Sequence, residues 1–209
     1  MDESVRIRVE VIRDECLRGW RSVGTGVFGQ IYRAKHKTLG MDVAINRSAS
    51  SIQREAHLMF QGGNPNVIRI LGLYEGRVGG AGLQSGLVME FMPKGSLADL
   101  LQKLTGGPPP WPLTFRMAHE IGLGMNFLHH LSPPLLHLDL KPSNVLLDDS
   151  PQSQGQSRLT DFGLSRVARS VSRCSSDKDD DDGGTLSYIA SKRCRSLNYK
   201  ACKATDVYR

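Results

Sequence analysis

Short β-prone segments dominate the first part of the chain. Two such runs flank a glycine-rich turn in WRSVGTGVFGQIYRAKH, and a third is MDVAIN. Two further apolar runs, separated by a glycine-rich loop, occur in NVIRILGLY and GLVMEFM. Between the third and fourth runs lies SSIQREAHLMF, whose apolar residues recur at helical spacing behind Ser51 as N-cap. This alternation predicts a small sheet-based unit that includes one helix.

The hydrophobic period changes after Gly95. A short helix capped by Ser96 is predicted in GSLADLLQKL. A long amphipathic helix is predicted in LTFRMAHEIGLGMNFLHHL, where four apolar residues share one face: Met117, Ile121, Met125 and Leu128. Two short apolar runs then bracket a polar turn in PPLLHLDLKPSNVLLDD, and a further strand and turn follow in LTDFGLSR. The pattern therefore predicts two helices followed by short strands and turns in the second part of the chain.

Composition fits a soluble globular chain, because 39% of its 209 residues are hydrophobic and 23% are charged. This length suits one ordinary domain or two small lobes that share a core. The N-terminal sequence MDESVRIRVEVIRDE lacks the apolar core of a signal peptide. No segment approaches the ~20 apolar residues of a membrane span. We therefore expect an intracellular, cytoplasmic chain without a membrane span.

The net charge of +6 raises the question of an anionic partner. The basic residues are scattered, however, apart from a loose group near the end: Lys192, Arg193, Arg195, Lys200 and Lys203. The sequence has no arginine-rich helix and no interleaving of aromatic and basic residues, so we expect no nucleic-acid partner. The four cysteines lack C-x-x-C spacing, which argues against a zinc site or a disulfide framework.

A G-x-G-x-x-G pattern is formed by Gly24, Gly26 and Gly29. By itself it is weak, because a tight hairpin without a ligand has the same pattern. It is informative here because strands precede and follow it, where a dinucleotide-binding fold would have a helix. Glycines in such a hairpin let backbone amides approach phosphate groups.

Stronger chemistry is indicated by HLDLKPSN, which begins at His137, and by the later DFG. Phosphoryl transfer needs a carboxylate that orients a hydroxyl and accepts its proton, a cation near the phosphoryl group, and oxygen ligands for Mg²⁺. Asp139 and Lys141 supply the first two roles. Asn144 and Asp161 supply the metal ligands. Each residue alone could be a turn former, but all of them in this order indicate phosphoryl transfer.

With the glycine-rich hairpin, these motifs resemble a protein kinase. Lys141, two residues after the base, follows the serine/threonine pattern. The wider context resembles the receptor-interacting serine/threonine kinase family, most closely its second and third members, in EFMPKGSLADLLQ, PWPLTFRMAHEIGLGMNFLH, PPLLHLDLKPSNVLLD and GGTLSY. The resemblance runs from about Leu17 to the last residue.

The resemblance implies an α+β, two-lobed kinase fold, with a small β-rich N-lobe containing helix C and a mainly helical C-lobe. Residues 1–16 would be a short N-terminal extension and 17–209 the kinase domain. Within it, the N-lobe would span about 17–92, the hinge about 90–95 and the C-lobe 96–209. Because Arg209 falls at the start of helix F, we expect an incomplete C-lobe and a truncated chain or fragment.

The resemblance also implies that ATP and Mg²⁺ bind in the cleft. ATP would contact Val23, Gly24, Gly26, Gly29, Ile31, Ala44, Asn46, Glu55, Glu90 and Met92. Glu55 would be the helix-C carboxylate, and Glu90 and Met92 would offer backbone hydrogen bonds in the hinge behind Met89 as gatekeeper. Expected partners are a protein substrate or effector, including a pseudokinase, and family kinases. The expected setting is inflammatory or cell-death signalling, including necroptosis.

Asn46 departs from this pattern, because it stands where the family has a lysine that holds the ATP phosphates and pairs with the helix-C glutamate. Asparagine is shorter and uncharged. Losing one preorganised electrostatic contact commonly costs on the order of 10²–10³-fold in rate. Three basic residues could replace the lysine, although strand alternation disfavours each of them: Arg33, Lys35 and Arg47.

Three other positions matter for regulation and stability. Leu138 replaces the arginine that receives an activation-loop phosphate, so switching by loop phosphorylation is not expected. Lys192 stands where the family has a glutamate, which puts the substrate-docking segment in doubt. Asp206 is expected to brace the catalytic loop from the start of helix F.

Three hypotheses remain open. The chain is a serine/threonine kinase with weakened catalysis, or a pseudokinase-like module that binds nucleotide or partners without useful turnover. In the third hypothesis it is an unstable piece without independent function.

Overall fold

The computed structural model describes residues 9–26, 29–47, 63–77, 82–104, 106–148, 156–160, 166–167, 188 and 201–207. The chain divides into two compact units, Met1–Pro93 and Lys94–Arg209. The helix predicted in SSIQREAHLMF lies outside the described residues.

The first unit is built on a six-stranded sheet, which contains the five strands that the apolar runs predict and one more, Val11–Arg13. Its strands are β1 (Val11–Arg13), β2 (Leu17–Gly26), β3 (Gly29–His36), β4 (Asp42–Asn46), β5 (Ile70–Gly76) and β6 (Gln84–Glu90). Their order across the sheet is β1-β5-β6-β4-β3-β2. Every neighbouring pair is antiparallel except β1 and β5, which run parallel.

Strand β1 forms one edge of the sheet. Ile12 is only 1% exposed and packs in the core of the unit. The carboxylate of Asp14 accepts hydrogen bonds from the Tyr74 hydroxyl (2.6 Å) and the Arg77 amide (2.7 Å). Residues 11–16, which the family resemblance places in an N-terminal extension, therefore contribute a strand and a buried side chain to the first unit.

The two faces of the sheet differ in character. Along β4, Val43 and Ile45 are fully buried, whereas Ala44 and Asn46 alternate with them and are half-buried. The core face carries Ile12, Leu17, Ala34, Val43, Ile45, Tyr74 and Val88. Cross-strand pairing places Ile31, Arg33, Ala44, Asn46, Leu87 and Met89 on the other side, which we name the Asn46 face.

The second unit contains helices and short two-stranded ribbons. Its helices are α1 (Leu97–Lys103), α2 (Trp111–His130) and α3 (Lys203–Val207). Its strands are β7 (Leu135–Leu136), β8 (Val145–Leu147), β9 (Ser157–Leu159) and β10 (Arg166–Val167). Strand β8 pairs antiparallel with β9, and β7 pairs antiparallel with β10. A single 3₁₀ turn, Pro142–Asn144, connects directly to β8.

Helix α2 is the long amphipathic helix that the sequence predicts. Met117, Met125 and Leu128 are buried, and Ile121 on the same face is half-buried. Pro110 occupies its N-cap, where a missing backbone N–H leaves no helical hydrogen bond unmade. In the part of the chain that the structure describes, neither α2 nor any other helix is both long and apolar enough to span a membrane.

Helix α1 starts with a reciprocal cap. The Ser96 hydroxyl accepts a hydrogen bond from the Asp99 amide (3.2 Å), while the Asp99 carboxylate accepts one from the Ser96 amide (2.8 Å). The hydrogen bond from the Ser96 amide lowers the pKa of Asp99 below its usual value, because it stabilises the ionised carboxylate. Gly95 has φ +74°, and a Cβ there would lie 2.7 Å from the Asp99 carboxylate. The sequence G-S-x-x-D is therefore required by this turn.

We predict that Ser96→Ala lowers the free energy of unfolding by about 1 kcal/mol, because the Asp99 amide loses its acceptor. Urea unfolding followed by circular dichroism measures the change. Ser22→Ala, at an exposed position on β2, is the control and should change stability by less than about 0.5 kcal/mol. Equal effects of the two variants would contradict the capping role.

The cap should also depend on pH. Because the folded pKa of Asp99 lies below its unfolded value, its ionised form stabilises the fold above an unfolded pKa of about 3.9. This contribution is lost as the pH falls through the folded pKa. The stability difference between the native chain and Asp99→Asn should therefore shrink between pH 6 and pH 3. A difference that stays constant over this range would contradict the assignment.

Candidate active site

The polar turn after β7 brings together three of the residues that the sequence motifs indicate. Asp139 is buried, and its Oδ2 lies 2.7 Å from Lys141 Nζ. The Asn144 side-chain amide donates to the Asp139 carbonyl (2.8 Å) and to Asp139 Oδ2 (3.0 Å). The carboxylate is therefore held in one orientation by a cation and an amide.

Asn144 keeps its side-chain oxygen available. Both N–H groups of its amide point to Asp139, so Oδ1 points elsewhere and accepts no hydrogen bond from the described residues. The Asn144 backbone is also fixed, because its amide donates to the Lys141 carbonyl (2.9 Å) and its carbonyl accepts from the Thr160 amide (3.0 Å). An immobilised amide oxygen of this kind is a suitable ligand for Mg²⁺.

His137 links this turn to the residue before the DFG motif. Its Nδ1 accepts from the Asp139 amide (3.3 Å), so the proton lies on Nε2, which donates to the Thr160 carbonyl (3.0 Å). His137 is fully buried. The next residue, Asp161, lies outside the described residues, as do Glu55 and Lys192.

Asp206 braces the polar turn after β7, as the family resemblance implies. Its carboxylate is 1% exposed and accepts from the amides of His137 (2.9 Å) and Leu138 (2.8 Å). A third donor is His129 Nε2 at 2.9 Å. His129 has no sequence signal for this role, because only the fold brings the end of α2 against α3.

Leu138 adopts a left-handed backbone conformation, with φ 61°. This conformation is unfavourable for a residue with a Cβ. We infer that the hydrogen bonds from the His137 and Leu138 amides to Asp206 maintain it. The Leu138 side chain is 2% exposed. It is therefore an apolar core residue and supplies no cation where the family arginine would bind a phosphate.

The glycine-rich hairpin joins β2 to β3 in the first unit, with Gly26 opposite Gly29 and Gly24 opposite Ile31. A Cβ placed on Gly24 would have no atom within 4 Å, and its φ is not in the left-handed range. Nothing in the described fold requires glycine there, so the open space is available to a ligand. Val23 beside it is 53% exposed.

Asn46 occupies the end of β4 on the Asn46 face. Its cross-strand neighbours are Ile31 on β3 and Leu87 on β6, and Ala44 precedes it on the same face opposite Met89. The Asn46 Oδ1 atom is buried and has no hydrogen-bond partner in the described structure. The Asn46 side-chain oxygen therefore lies among apolar neighbours without a hydrogen-bond donor.

No basic side chain from the described strands replaces the missing lysine. Arg47 lies over the Tyr32 ring, 5.0 Å from its centroid, on the core face. For Arg33 the alternation argument is wrong, because Arg33 pairs with Ala44 and shares the Asn46 face. Its guanidinium is instead held by Asp42 and lies 4.6 Å from the Phe91 ring centroid.

Lys35 is also remote from Asn46. It pairs with Asp42, which shares the face of Ala44 and Asn46, so the alternation argument is wrong for Lys35 as well. The Lys35–Asp42 pair is four cross-strand pairs along β4 from the Asn46 pair. The prediction that none of the three basic residues substitutes for the lysine therefore agrees with the geometry, for a different reason at each position.

The end of β6 leaves one residue with unused backbone groups. The Glu90 amide donates to the Arg69 carbonyl (3.1 Å), and the Glu90 carboxylate accepts from the Arg69 amide (2.8 Å). Among the described residues, neither the amide nor the carbonyl of Met92 has a hydrogen-bond partner. Met92 can therefore offer both groups to a ligand, whereas the Glu90 amide is already used.

Comparison with known proteins identifies the class. The protein kinase domain family matches residues 18–208, and the chain belongs to this family. The predicted kinase fold is thereby confirmed.

The most similar relatives include receptor-interacting serine/threonine-protein kinase 3 of Rattus norvegicus, which is 40% identical over 201 residues covering 96% of this chain. The fourth such kinase, from Mus musculus, is 37% identical over 199 residues covering 91% of this chain. The second, from Bos taurus, is 35% identical over 181 residues covering 81% of this chain. The matches span 41%, 23% and 32% of these relatives. They confirm the predicted resemblance.

We predict that Asp206→Asn lowers the free energy of unfolding of the second unit by about 2–3 kcal/mol, because an amide turns donors toward backbone N–H groups that need acceptors. Urea unfolding followed by circular dichroism measures the change. Asp148→Asn is the matched control, since it removes the same charge from a half-buried pair with Arg158 at 2.9 Å. It should cost less than about 1 kcal/mol. A loss no larger than the control's would refute the bracing role.

Proposed function

We propose that this chain is a serine/threonine protein kinase domain that transfers the γ-phosphate of ATP to a protein hydroxyl, with weakened catalysis. The arrangement of Asp139, Lys141 and Asn144 carries this proposal. A carboxylate held by a lysine and an asparagine amide is suited to orient a hydroxyl and accept its proton. The serine/threonine specificity rests on the Lys141 motif and on the names of the relatives.

Each residue of the catalytic turn has a distinct role. Asp139 binds the substrate hydroxyl and takes its proton as the oxygen attacks. Lys141 offsets negative charge beside the carboxylate. Asn144 Oδ1 and Asp161 are the proposed ligands for Mg²⁺, which, together with ATP, supplies charge neutralisation at the transferring phosphoryl group.

Residues of the first unit fit a bound adenine nucleotide. The open space at Gly24 accommodates a phosphate at the hairpin with Gly26 and Gly29. Ala44 and Ile31 offer an apolar floor for the adenine ring, which Val23 would cover. The unused backbone amide and carbonyl of Met92 are the proposed partners of the adenine edge, with the Glu90 carbonyl beside them. Glu55 is proposed as the helix-C carboxylate.

We attribute the weakened catalysis to Asn46 and to the contacts of two nearby arginines, because Arg33 is bound by Asp42 and Arg47 lies over the Tyr32 ring. Because no cation from the described strands takes the place of the lysine at position 46, the phosphates lose a charge-assisted hydrogen bond, which is about twice as strong as a neutral one. Leu138 adds a regulatory consequence, because an apolar side chain cannot receive an activation-loop phosphate. We propose that activity does not depend on phosphorylation of that loop.

A second candidate function is favoured by the same Asn46 observation. The chain is then a pseudokinase-like module that binds nucleotide or protein partners without useful turnover. In either case the proposed setting, which rests on the family resemblance, is cytoplasmic signalling in inflammation or cell death, including necroptosis. The proposed partners are family kinases and a protein substrate or pseudokinase effector.

We predict that transfer of labelled γ-phosphate from MgATP to a generic serine/threonine protein substrate disappears in Asp139→Asn. Asp148→Asn serves as the control, because it removes the same charge outside the catalytic turn. If the native chain transfers no more phosphate than Asp139→Asn, the proposal of catalysis is wrong and the pseudokinase alternative remains.

Restoring the lysine separates the two candidates. We predict that Asn46→Lys raises the transfer rate by about tenfold or more, because one electrostatic contact to a transition state is commonly worth 10²–10³-fold. The rate constant under saturating MgATP measures this. An increase of less than about threefold would mean that Asn46 is not what limits turnover.

A further inference from the structure

The Asn46 face presents a hydrogen-bond acceptor where a nucleotide-binding site of this class needs a cation. The buried Oδ1 of Asn46 has no partner among the described residues. A buried acceptor without a donor is unfavourable, so a ligand that brings a donor to it gains a bond that the free protein lacks. Phosphate oxygens cannot fill this role, because they only accept hydrogen bonds.

The nearby positive charges do not alter this picture. Arg33 is engaged by Asp42 and Phe91, and Arg47 is directed to the core face over Tyr32. Turning the Asn46 amide over would direct its N–H toward a phosphate, but that bond would be neutral. Neutral hydrogen bonds have about half the strength of charge-assisted ones, so the gain for a triphosphate remains small.

The parts of the site that recognise an uncharged heteroaromatic ring are intact. Ile31 and Ala44 form an apolar floor on the same face as Asn46. Met92 has both backbone groups unused among the described residues, which suits the donor–acceptor edge of a purine. The groups suited to bind the ring are therefore present, whereas the cation that would bind the phosphates is absent at position 46.

Resting on the nucleotide site proposed above, we propose that this site binds an uncharged purine nucleoside, whose 5′-hydroxyl donates to Asn46 Oδ1, about as tightly as it binds MgATP. Adenosine carries this hydroxyl donor, whereas ATP presents phosphate oxygens in its place. The site therefore discriminates little between adenosine and MgATP. Asn46 is the residue that sets the ratio of the two affinities.

Titration calorimetry of the 209-residue chain with adenosine and with MgATP tests the proposal. We expect dissociation constants within about threefold of each other, since a neutral amide adds little for the phosphates. Asn46→Lys should tighten MgATP binding by about tenfold or more and weaken adenosine binding by about threefold or more, because lysine offers no acceptor to the hydroxyl. Gln102→Lys, exposed on α1, adds the same charge in the second unit and should leave both constants unchanged.

Asn46→Asp provides a second variant that preserves side-chain size. Its carboxylate still accepts from a hydroxyl but repels phosphate, so adenosine binding should persist while MgATP binding weakens by about tenfold. This variant decides the question if Asn46→Lys does not fold, which a thermal melt of each variant shows.

The outcomes separate the inference from the proposed function. If the native chain binds MgATP more than about threefold tighter than adenosine, the inference is wrong and the nucleotide site stands. An unchanged ratio of the two constants in both Asn46 variants also overturns it, because another residue then sets the preference. If neither ligand binds the native chain, both the inference and the proposed nucleotide site fail.

Discussion

The carboxylate of Asp206 holds the polar turn after β7 in place through three hydrogen bonds. Two of its donors are consecutive backbone amides, His137 and Leu138, and the third is the imidazole of His129. Removing a carboxylate from water is costly unless its oxygens are well supplied with donors. Here the same donors that stabilise the charge also impose the left-handed turn at Leu138. Asp139 follows directly after Leu138, so the direction of its side chain depends on that turn. Its contacts to Lys141 and Asn144 depend on the turn for the same reason.

Under the proposed function, the two units retain different parts of the chemistry. In the second unit, Lys141 and Asn144 orient the Asp139 carboxylate that would accept the proton. In the first unit, the proposed purine site has an apolar floor and the unused backbone groups of Met92, but Asn46 supplies no cation. Geometry and charge are therefore separable in this proposal. Strand alternation and backbone groups tolerate the change at Asn46, whereas the proposed phosphate contact depends on that one side chain at the end of β4.

Much of this arrangement could be predicted from the sequence. Alternating apolar runs and glycine turns fix strands β2 to β6, and the helical period fixes α2, because local patterns determine these elements. The spacing of Asp139, Lys141 and Asn144 also indicates their proximity, since they lie within one turn. Long-range features left no comparable signal. These features depend on contacts between separate segments of the chain: the parallel pairing of β1 with β5, the hydrogen bond from His129 to Asp206 and the salt bridge between Arg33 and Asp42. Alternation alone gave the wrong reason for rejecting Arg33, because it predicts the face of a strand and not the partner of a side chain.

The bond between Asp206 and the catalytic turn also constrains the order in which the protein folds. It joins residues separated by 69 and 68 positions, whereas Asp139, Lys141 and Asn144 are nearly adjacent. Closing a long loop loses conformational entropy before any contact compensates for it, and such contacts form late. During synthesis, the first unit can complete its sheet before Asp206 leaves the ribosome. Until then no hydrogen bond to Asp206 stabilises the left-handed conformation of Leu138. The turn that carries Asp139 is thus among the last parts of the chain to reach its folded conformation.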